Sequence, residues 1–284
     1  MATYELRAMS LGEILDGAFT LLGRHFGKLF TVAIVCLAIP MALSVYVESA
    51  GGFIVRPGLW ALSQLLSVLG YLLVSGATVW IVSEAYLGRG TGSGDALRFA
   101  AGKMWPIFVS GIATTIIVFL AFLPAGFAFW TALMLFGAGG GPAFLGGIVL
   151  GIALVALPIV VAAGYAVVVQ AVVLESLPSA ISSLSRSWSL TKGHRGKALL
   201  LWIVVFALFF AVIFALGIVA GLSGTLGGSG AATAATAGMS LLMMLLYPLT
   251  SCVFTLLYYD LRVRKEAFDL ELLSKQIGLA PTGA

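Results

Sequence analysis

Six long apolar runs limit what this chain can fold into more than any other feature of its sequence. They cover residues 29–47, 59–87, 105–136, 143–174, 198–220 and 239–259. About 20 residues of α-helix span the roughly 30 Å of hydrocarbon in a bilayer. The runs do not alternate apolar with polar residues, as the strands of a membrane barrel would. They therefore predict an all-α, polytopic membrane protein with about six transmembrane helices.

The low charge content argues against a separate soluble domain. Hydrophobic residues make up 61% of the 284 residues and charged residues 9%, whereas soluble domains carry about 25% charged residues. We expect residues 1–284 to form a single membrane domain, with residues 260–284 as a cytoplasmic tail. The net charge of +4 has no soluble face to accompany it, so nucleic acid is not an expected partner.

The basic residues gather on one side of the predicted path. Of the 15 Lys and Arg residues, only Arg56 falls on the opposite side. Because cytoplasmic loops retain Lys and Arg, the basic side is expected to be the inside. The pattern predicts a multi-pass protein of the cell (inner) membrane with both termini in the cytoplasm.

Amphipathic segments flank the predicted membrane helices. Residues 10–27 carry apolar residues at helical spacing, and Ser10 with Glu13 matches the capping-box pattern at the start. Such a helix is expected to lie in the membrane plane on the cytoplasmic side. Similar interfacial helices are expected from about Pro178 and around Phe268.

Two further features predict the shape of the path. Pro124 and Pro158 lie inside the third and fourth runs, and each removes a backbone donor, so we expect a bend near each. Residues 221–238 consist almost entirely of Gly, Ala, Ser and Thr. This composition predicts a loop outside the cell between the fifth and sixth helices.

The sequence offers no catalytic set. His25 and His194 both lie in basic segments without a nucleophile and an orienting acid beside them. Cys36 and Cys252 lie inside apolar runs and are expected to be buried hydrophobes, and no metal-type spacing occurs. We therefore predict no catalytic residue, no metal site and no cofactor.

Polar residues at the membrane indicate two candidate surfaces. Gln64, Gln170 and Glu175 are the residues expected to line a groove, if one exists, although Glu84 and Glu175 are also placed to pair with Arg89 and Arg186. The basic residues of the cytoplasmic side form a rim that is expected to contact anionic lipid headgroups or a partner. The residues of this basic rim are Arg24, Lys28, Lys103, Arg186, Lys192, Arg195, Lys197, Arg262, Arg264 and Lys265.

Small residues four apart, such as Gly147 with Gly151 and Gly217 with Gly221, allow close helix packing. The sequence leaves open whether these faces pack within the chain or against another subunit.

Three stretches carry a resemblance to a known family. They are residues 10–16 (SLGEILD), residues 175–193, which end in SWSLTKG, and residues 258–266 (YYDLRVRKE) together with Phe268 and Asp269. The chain resembles a bacterial family of polytopic proteins labelled as the membrane domain of glycerophosphoryl diester phosphodiesterase, over nearly its whole length. At position 267, where the family pattern suggests Gly, this chain has Ala267.

The resemblance implies a membrane module without the hydrolase. In the fused relatives, hydrolysis belongs to a separate soluble barrel with its own His, Glu and metal ligands, and this sequence has no such cluster. Stand-alone members have no assigned activity, so the resemblance adds a fold and not a reaction.

These observations lead to three hypotheses. The first is a non-enzymatic membrane module, a scaffold or accessory subunit whose basic rim contacts membrane lipids or other membrane protein subunits. The second is a transporter of a lipid or small amphiphile, which requires a cavity open to the membrane and lined by the groove residues. The third is an enzyme acting on phospholipid headgroups with Glu175, Asp260, His194 or His25.

Overall fold

A computed structural model describes residues 7–137 and 141–268 of the chain. These two ranges contain helices and no strand, as the apolar runs predicted. The helices in chain order are α1 (Leu11–Ser49), α2 (Gly52–Val55), α3 (Pro57–Tyr86), α4 (Ser93–Gly137), α5 (Gly141–Gly164), α6 (Val168–Leu174), α7 (Ser182–Thr191) and α8 (Arg195–Glu266).

Five segments of the described chain are long and apolar enough to cross a membrane. They are Leu11–Ser49, Pro57–Tyr86, Ser93–Phe136, Gly141–Leu174 and Arg195–Ile218. Large apolar side chains stand exposed along them, including Phe127 and Phe206 at 70% and 69%. A protein in water rarely exposes apolar patches of this extent, and this surface is that of a membrane-embedded protein.

Helix α1 consists of two parts that meet at His25. The backbone there is not helical (φ −111°, ψ 15°), close to the predicted boundary between residues 10–27 and the first run. The predicted capping box is confirmed, because Ser10 N donates to Glu13 Oε2 at 2.6 Å and Glu13 N donates to Ser10 Oγ at 3.3 Å. The first part buries Ile14, Ala18 and Leu21 within the protein core.

Residues 221–238, the predicted loop, fall within the bounds of α8. Even so, α8 is not a straight rod. Its 72 residues would extend about 108 Å at 1.5 Å per residue, which would hold its two ends far apart.

Contacts between the two ends show that α8 reverses direction. Lys197 Nζ lies 2.6 Å from Asp260 Oδ2, and the rings of Trp202 and Phe254 have centroids 4.7 Å apart. The chain therefore turns back between Trp202 and Phe254. We name the part from Arg195 to Ile218 the first arm, and residues 241–266, which contain most of the sixth apolar run, the second arm.

The fourth run is interrupted, though not at the expected proline. Helix α5 continues through Pro158 to Gly164, and the helix resumes at Val168 as α6. Side chains of α7 bind the backbone at this break: Ser187 Oγ and Thr191 Oγ1 each donate to the Gly164 carbonyl oxygen at 3.0 Å. The two hydroxyls therefore satisfy the Gly164 carbonyl oxygen at the break.

A tight contact fixes the position of this break. A Cβ atom on Gly164 would lie 2.4 Å from Cε3 of Trp188, so only glycine lets α7 approach the break this closely. Helix α7 lies in the part of the sequence where an interfacial helix is predicted. It begins at Ser182, a few residues after the predicted start, and it packs Leu184 and Leu190 inward.

The α4–α5 hairpin shows how one pair of the small residues packs. Gly147 lies against Ala132, to which a Cβ would approach within 2.7 Å, and Gly151 lies against Phe129. Both glycines of this pair therefore pack within the chain. Nothing lies within 4 Å of a Cβ built on Gly217 or Gly221.

The second arm of α8 carries the centre of the core. Every residue from Ser251 to Leu261 is buried, and the first part of α1 and the inner face of α3 pack around it. The arm ends at Ala267, whose φ of 48° and ψ of 43° are left-handed. This is the position where the resemblance suggested Gly, the residue that adopts this conformation most easily.

Candidate functional site

A buried carboxylate, Asp260, joins three parts of the chain. It has no exposed surface, and it accepts hydrogen bonds from Lys197 Nζ at 2.6 Å, Arg264 Nε at 3.0 Å and the Met9 backbone N–H at 2.7 Å. Lys197 and Arg264 also donate to the Met9 carbonyl oxygen, at 2.6 and 2.9 Å. This cluster connects the segment before α1 to both arms of α8.

A second ionic cluster forms around Glu175 at the end of α6. Arg186 Nε donates to both oxygens of Glu175, at 2.9 and 2.8 Å, and the Tyr258 hydroxyl donates to Oε1 at 2.7 Å. The other guanidinium nitrogens of Arg186 bind Glu266, which also accepts from Arg262 Nε at 3.0 Å. The predicted pairing of Glu175 with Arg186 is confirmed, and Glu84 pairs with Arg89 at 3.7 Å as expected.

The electrostatics of this cluster favour the ionised form of Glu266. Burial acts to raise the pKa of Glu266, but hydrogen bonds from Arg186 and Arg262 outweigh burial, and its pKa falls below the ordinary value. The hydrogen bonds that Arg186 donates to Glu266 and Glu175 raise the pKa of its guanidinium, against the opposing effect of burial. The cluster is therefore built to remain charged.

Much of the predicted basic rim is engaged inside the protein. Arg186, Lys197, Arg262 and Arg264 form the ion pairs above, and Lys265 Nζ donates to the Ser189 carbonyl oxygen. Four of these cations join separate parts of the chain, whereas Arg262 pairs with Glu266 four residues along the same helix.

The remaining rim residues lie in different settings. Arg195 stacks on the ring of Trp188, with Cζ 3.6 Å from the centroid, and Lys28 Nζ donates to the Thr91 carbonyl oxygen at 2.9 Å. Lys103 borders a cavity described below. Arg24 and Lys192 have exposed side chains.

An apolar cavity lies between α3, α6 and the two arms of α8. Its volume is about 430 Å³, within the range of small-molecule pockets. Val79, Phe209 and Phe254 contribute apolar walls, while Gln170 and Ser251 add polar groups. This cavity contains one of the three predicted groove residues.

Gln170 is the exceptional residue of this cavity. Only 4% of its surface is exposed, and its side-chain oxygen Oε1 is buried with no hydrogen-bond partner in the described part of the chain. A buried polar atom normally has a partner, because leaving it unpaired costs free energy. The two serine hydroxyls of the cavity wall contact other groups: Ser75 Oγ donates to the Leu72 carbonyl oxygen at 2.9 Å, and Ser251 Oγ accepts from Thr78 Oγ1 at 2.8 Å.

The other two predicted groove residues, Gln64 and Glu175, do not line this cavity. Gln64 is exposed on α3 and does not line the cavity. Glu175 borders a second cavity, also of about 430 Å³, together with Lys103, Trp105 and Ile181. Gln170 and Glu175 are five residues apart along α6 and its end, and so they face different spaces.

The residues proposed for an enzyme are not assembled into one site. Both carboxylates, Glu175 and Asp260, are held by cations in separate clusters. His25 lies at the break of α1, and His194 caps the start of α8. Within residues 7–137 and 141–268, no group of three or more His, Cys, Asp or Glu side chains could hold a metal ion.

Two features of the site had little signal in the sequence. The hydrogen bond from Tyr258 to Glu175 connects residues 83 positions apart, and neither residue type predicts the other. The contact of α7 with the break between α5 and α6 has only a weak signal in the sequence. Serine recurs along α7 at Ser183 and Ser187, both fully buried.

Comparison with known proteins adds no identity: no family model, no curated protein and no solved structure matches this chain.

Proposed function

We propose that this protein is an integral membrane protein that binds a long-chain amphiphile in the cavity between α6 and the two arms of α8. The cavity would receive the ligand sideways from the bilayer, as a lipid carrier or lipid transporter requires. The observation that supports this proposal best is a largely apolar cavity of about 430 Å³ whose wall includes the buried polar side chain of Gln170.

The proposal includes a membrane path with six crossings and both termini in the cytoplasm. The five candidate spans supply five crossings, and the antiparallel second arm of α8 supplies the sixth. The ion-paired clusters around Asp260 and Glu175 would then lie at the cytoplasmic end, which agrees with the rule that basic residues stay inside.

Access from the bilayer is supported by the outer wall of the cavity. Trp202, Phe206 and Ile213 all line it, and their side chains are also among the exposed large hydrophobics of the first arm. A wall that faces lipid on one side and the cavity on the other is where an acyl chain would pass. A cavity enclosed by core helices alone would lack this property.

A cavity-filling pair of variants tests amphiphile binding. Ala166 lines the cavity, whereas Ala215 is exposed on the first arm. We expect A166F to lose the amphiphile that the wild-type protein retains after purification in detergent, measured by native mass spectrometry, and A215F to retain it. Equal retention by wild type and A166F, with both folded by thermal unfolding, would contradict the proposal.

A second candidate function is a scaffold or accessory module that contacts anionic lipid or another membrane subunit through the cytoplasmic rim. The observation that favours it is the second cavity, where Lys103 lies beside Trp105 and Ile181, exposed at 71% and 65%. A cation flanked by exposed apolar side chains suits the headgroup region of a leaflet. Vesicle flotation does not test this role, because an integral membrane protein floats with the vesicles in any case. The test compares the enrichment of anionic lipid around wild type and K103Q in nanodiscs, and this role predicts less enrichment around K103Q.

A further inference from the structure

We propose that the second cavity, between the start of α4 and the connection from α6 to α7, holds one phospholipid with a singly charged anionic headgroup, whose phosphate pairs with Lys103. This cavity is separate from the one between α6 and the arms of α8. The inference rests on the second candidate function, and it adds a defined site and the chemical class of its ligand. It follows from the charge of the wall, the order of polar and apolar residues along it, and its position at the ends of two spans.

The wall of this cavity carries one uncompensated positive charge. Lys103 forms no ion pair or hydrogen bond with any residue in the ranges 7–137 and 141–268. The other charged residue of the described wall, Glu175, is already neutralised, because Arg186 binds both of its oxygens and Tyr258 donates to one of them at 2.7 Å. A phosphate therefore finds a countercharge in Lys103, whereas an ammonium group finds no unpaired carboxylate. This arrangement selects a headgroup with a single net negative charge.

A hydroxyl on the same wall supplies a second donor. Ser179 lines the cavity, and its Oγ accepts a hydrogen bond from the Ser182 backbone N–H at 3.1 Å. Among the described residues no acceptor binds the hydroxyl hydrogen of Ser179, and a hydroxyl can accept and donate at the same time. A phosphodiester carries several acceptor oxygens, so it can accept from both the Lys103 ammonium and this hydroxyl.

Polar and apolar residues follow each other along the wall in the order that a phospholipid requires. On α4, Lys103 comes first, and Val109 lies about 9 Å farther along the helix at 1.5 Å per residue. At the end of α6, Val172 precedes Glu175, and the fourth apolar run ends between them at residue 174. The charged residues therefore lie at the outer end of the cavity. The two valines lie toward the hydrocarbon, where the first part of an acyl chain would pack.

The surroundings of the cavity place it at the level of the lipid headgroups. The third apolar run begins at residue 105 and the fourth ends at residue 174, so two spans end beside the cavity. Trp105 and Ile181 border it with 71% and 65% of their surfaces exposed, and Trp is enriched where a membrane meets water. A Lys side chain at such a depth keeps its methylenes among apolar groups and its ammonium among headgroups. Exposed apolar side chains beside the cation favour a lipid over a free phosphate ion, which has no apolar part to bury.

The test uses the full-length protein in phosphatidylcholine nanodiscs with three photoreactive lipid probes that differ only in the headgroup. The probes are phosphatidylglycerol, phosphatidylcholine and phosphatidylethanolamine, each with a diazirine near the start of one acyl chain. Labelling of peptides from residues 103–109 and 172–181, which contain the cavity wall, is quantified by mass spectrometry. We expect phosphatidylglycerol to label them about fivefold more than either zwitterionic probe, the effect of one cation on one anionic headgroup. Added inorganic phosphate should compete no better than sodium chloride at the same ionic strength.

The matched variants are K103Q and K192Q, which remove one positive charge inside and outside the cavity. Lys192 is exposed at the end of α7 and does not line the cavity. K103Q should lower labelling by phosphatidylglycerol about fivefold, to the level of the zwitterionic probes, and K192Q should leave it unchanged. V109F fills the apolar part of the cavity and should lower labelling by all three probes, whereas V149F, on the exposed face of α5, should not.

The outcomes separate this site from the functions proposed above. If K103Q and K192Q lower labelling equally, the rim attracts anionic lipid as a whole and the defined site is wrong. If neither variant lowers it, or the three probes label alike, the site and the attraction of the rim for anionic lipid are both wrong. If inorganic phosphate displaces the probe beyond the salt control, the cavity takes a soluble anion and the lipid is wrong. The result for A166F concerns the other cavity and is independent of all of these.

Discussion

The second arm of α8 and the α4–α5 hairpin show two ways of holding helices in one membrane protein. From Ser251 to Leu261 every residue of the second arm is buried, including Asp260. The most apolar 18-residue windows of the hairpin are only 11% buried within the protein. The second arm is held by packing and ion pairs, while the hairpin depends on the surrounding lipid and on close contact between its own two helices.

The comparison explains where polar chemistry is found. Lipid tails offer apolar surface everywhere, so burial of apolar side chains gives little drive for helices to associate inside a bilayer. Charges and small residues then have to specify which helices meet. In the second arm this is done by Asp260 and Tyr258, and in the hairpin by Gly147 and Gly151.

The largest expected effect comes from removing Asp260. D260A leaves Lys197 and Arg264 without their buried countercharge, which should destabilise the protein by about 3–5 kcal/mol. Reversible unfolding in mixed micelles by SDS measures this. F127A on the exposed face of the hairpin is the control and should change stability little; comparable losses in the two variants would remove the contrast between the regions.

A smaller loss is expected when Tyr258 becomes Phe. Y258F keeps the ring in the core and deletes the hydroxyl that donates to Glu175 at 2.7 Å. A hydrogen bond to a charged group contributes about 2 kcal/mol, and the same unfolding assay should detect its loss. An unchanged unfolding midpoint would mean that Arg186 alone satisfies Glu175.

Adjacent glycines in the hairpin give a sharper test. G147A places a Cβ 2.7 Å from that of Ala132 and should cost about 1 kcal/mol, whereas G146A meets nothing within 4 Å. We expect only G147A to lower stability and to weaken α4–α5 association. If G146A is the more harmful variant, α5 is rotated relative to the packing described above.

The smallest effect should be a gain. Ala267 has a left-handed backbone at the end of α8, and A267G removes the steric cost of that conformation, worth about 0.5–1 kcal/mol. The variant should unfold at higher SDS than wild type. Ala267→Val, which tolerates positive φ still less, should shift the midpoint in the other direction.

The sequence predicted the parts of the fold that depend on local pattern. Apolar length located the helices, and Ser10 with Glu13 predicted the start of α1 because a capping box involves residues three apart. The pairing of Glu175 with Arg186 was also predictable, since 11 residues separate them.

Features created by distant contacts were not predictable. The bond from Lys197 to Asp260 spans 63 positions, so the rim cations were expected to face lipid although several bind within the chain. The break after Gly164 depends on Trp188 and Ser187 from another helix, and proline was the wrong signal for it. Gln170 lines the cavity, whereas Gln64 and Glu175 do not. Which of the three share a wall depends on the rotation of each helix, and that rotation is not evident from the sequence.

Side-specific cysteine labelling tests the membrane path most directly. In a background with Cys36 and Cys252 replaced by Ala, single cysteines are introduced as S229C, between the arms of α8, and K192C, at the end of α7. An impermeant maleimide should label S229C in intact cells and K192C only in inverted vesicles, because the second arm would return the chain to the cytoplasmic side. Labelling of both positions from the same side would contradict the six-crossing path and the placement of the ionic clusters at the cytoplasmic end.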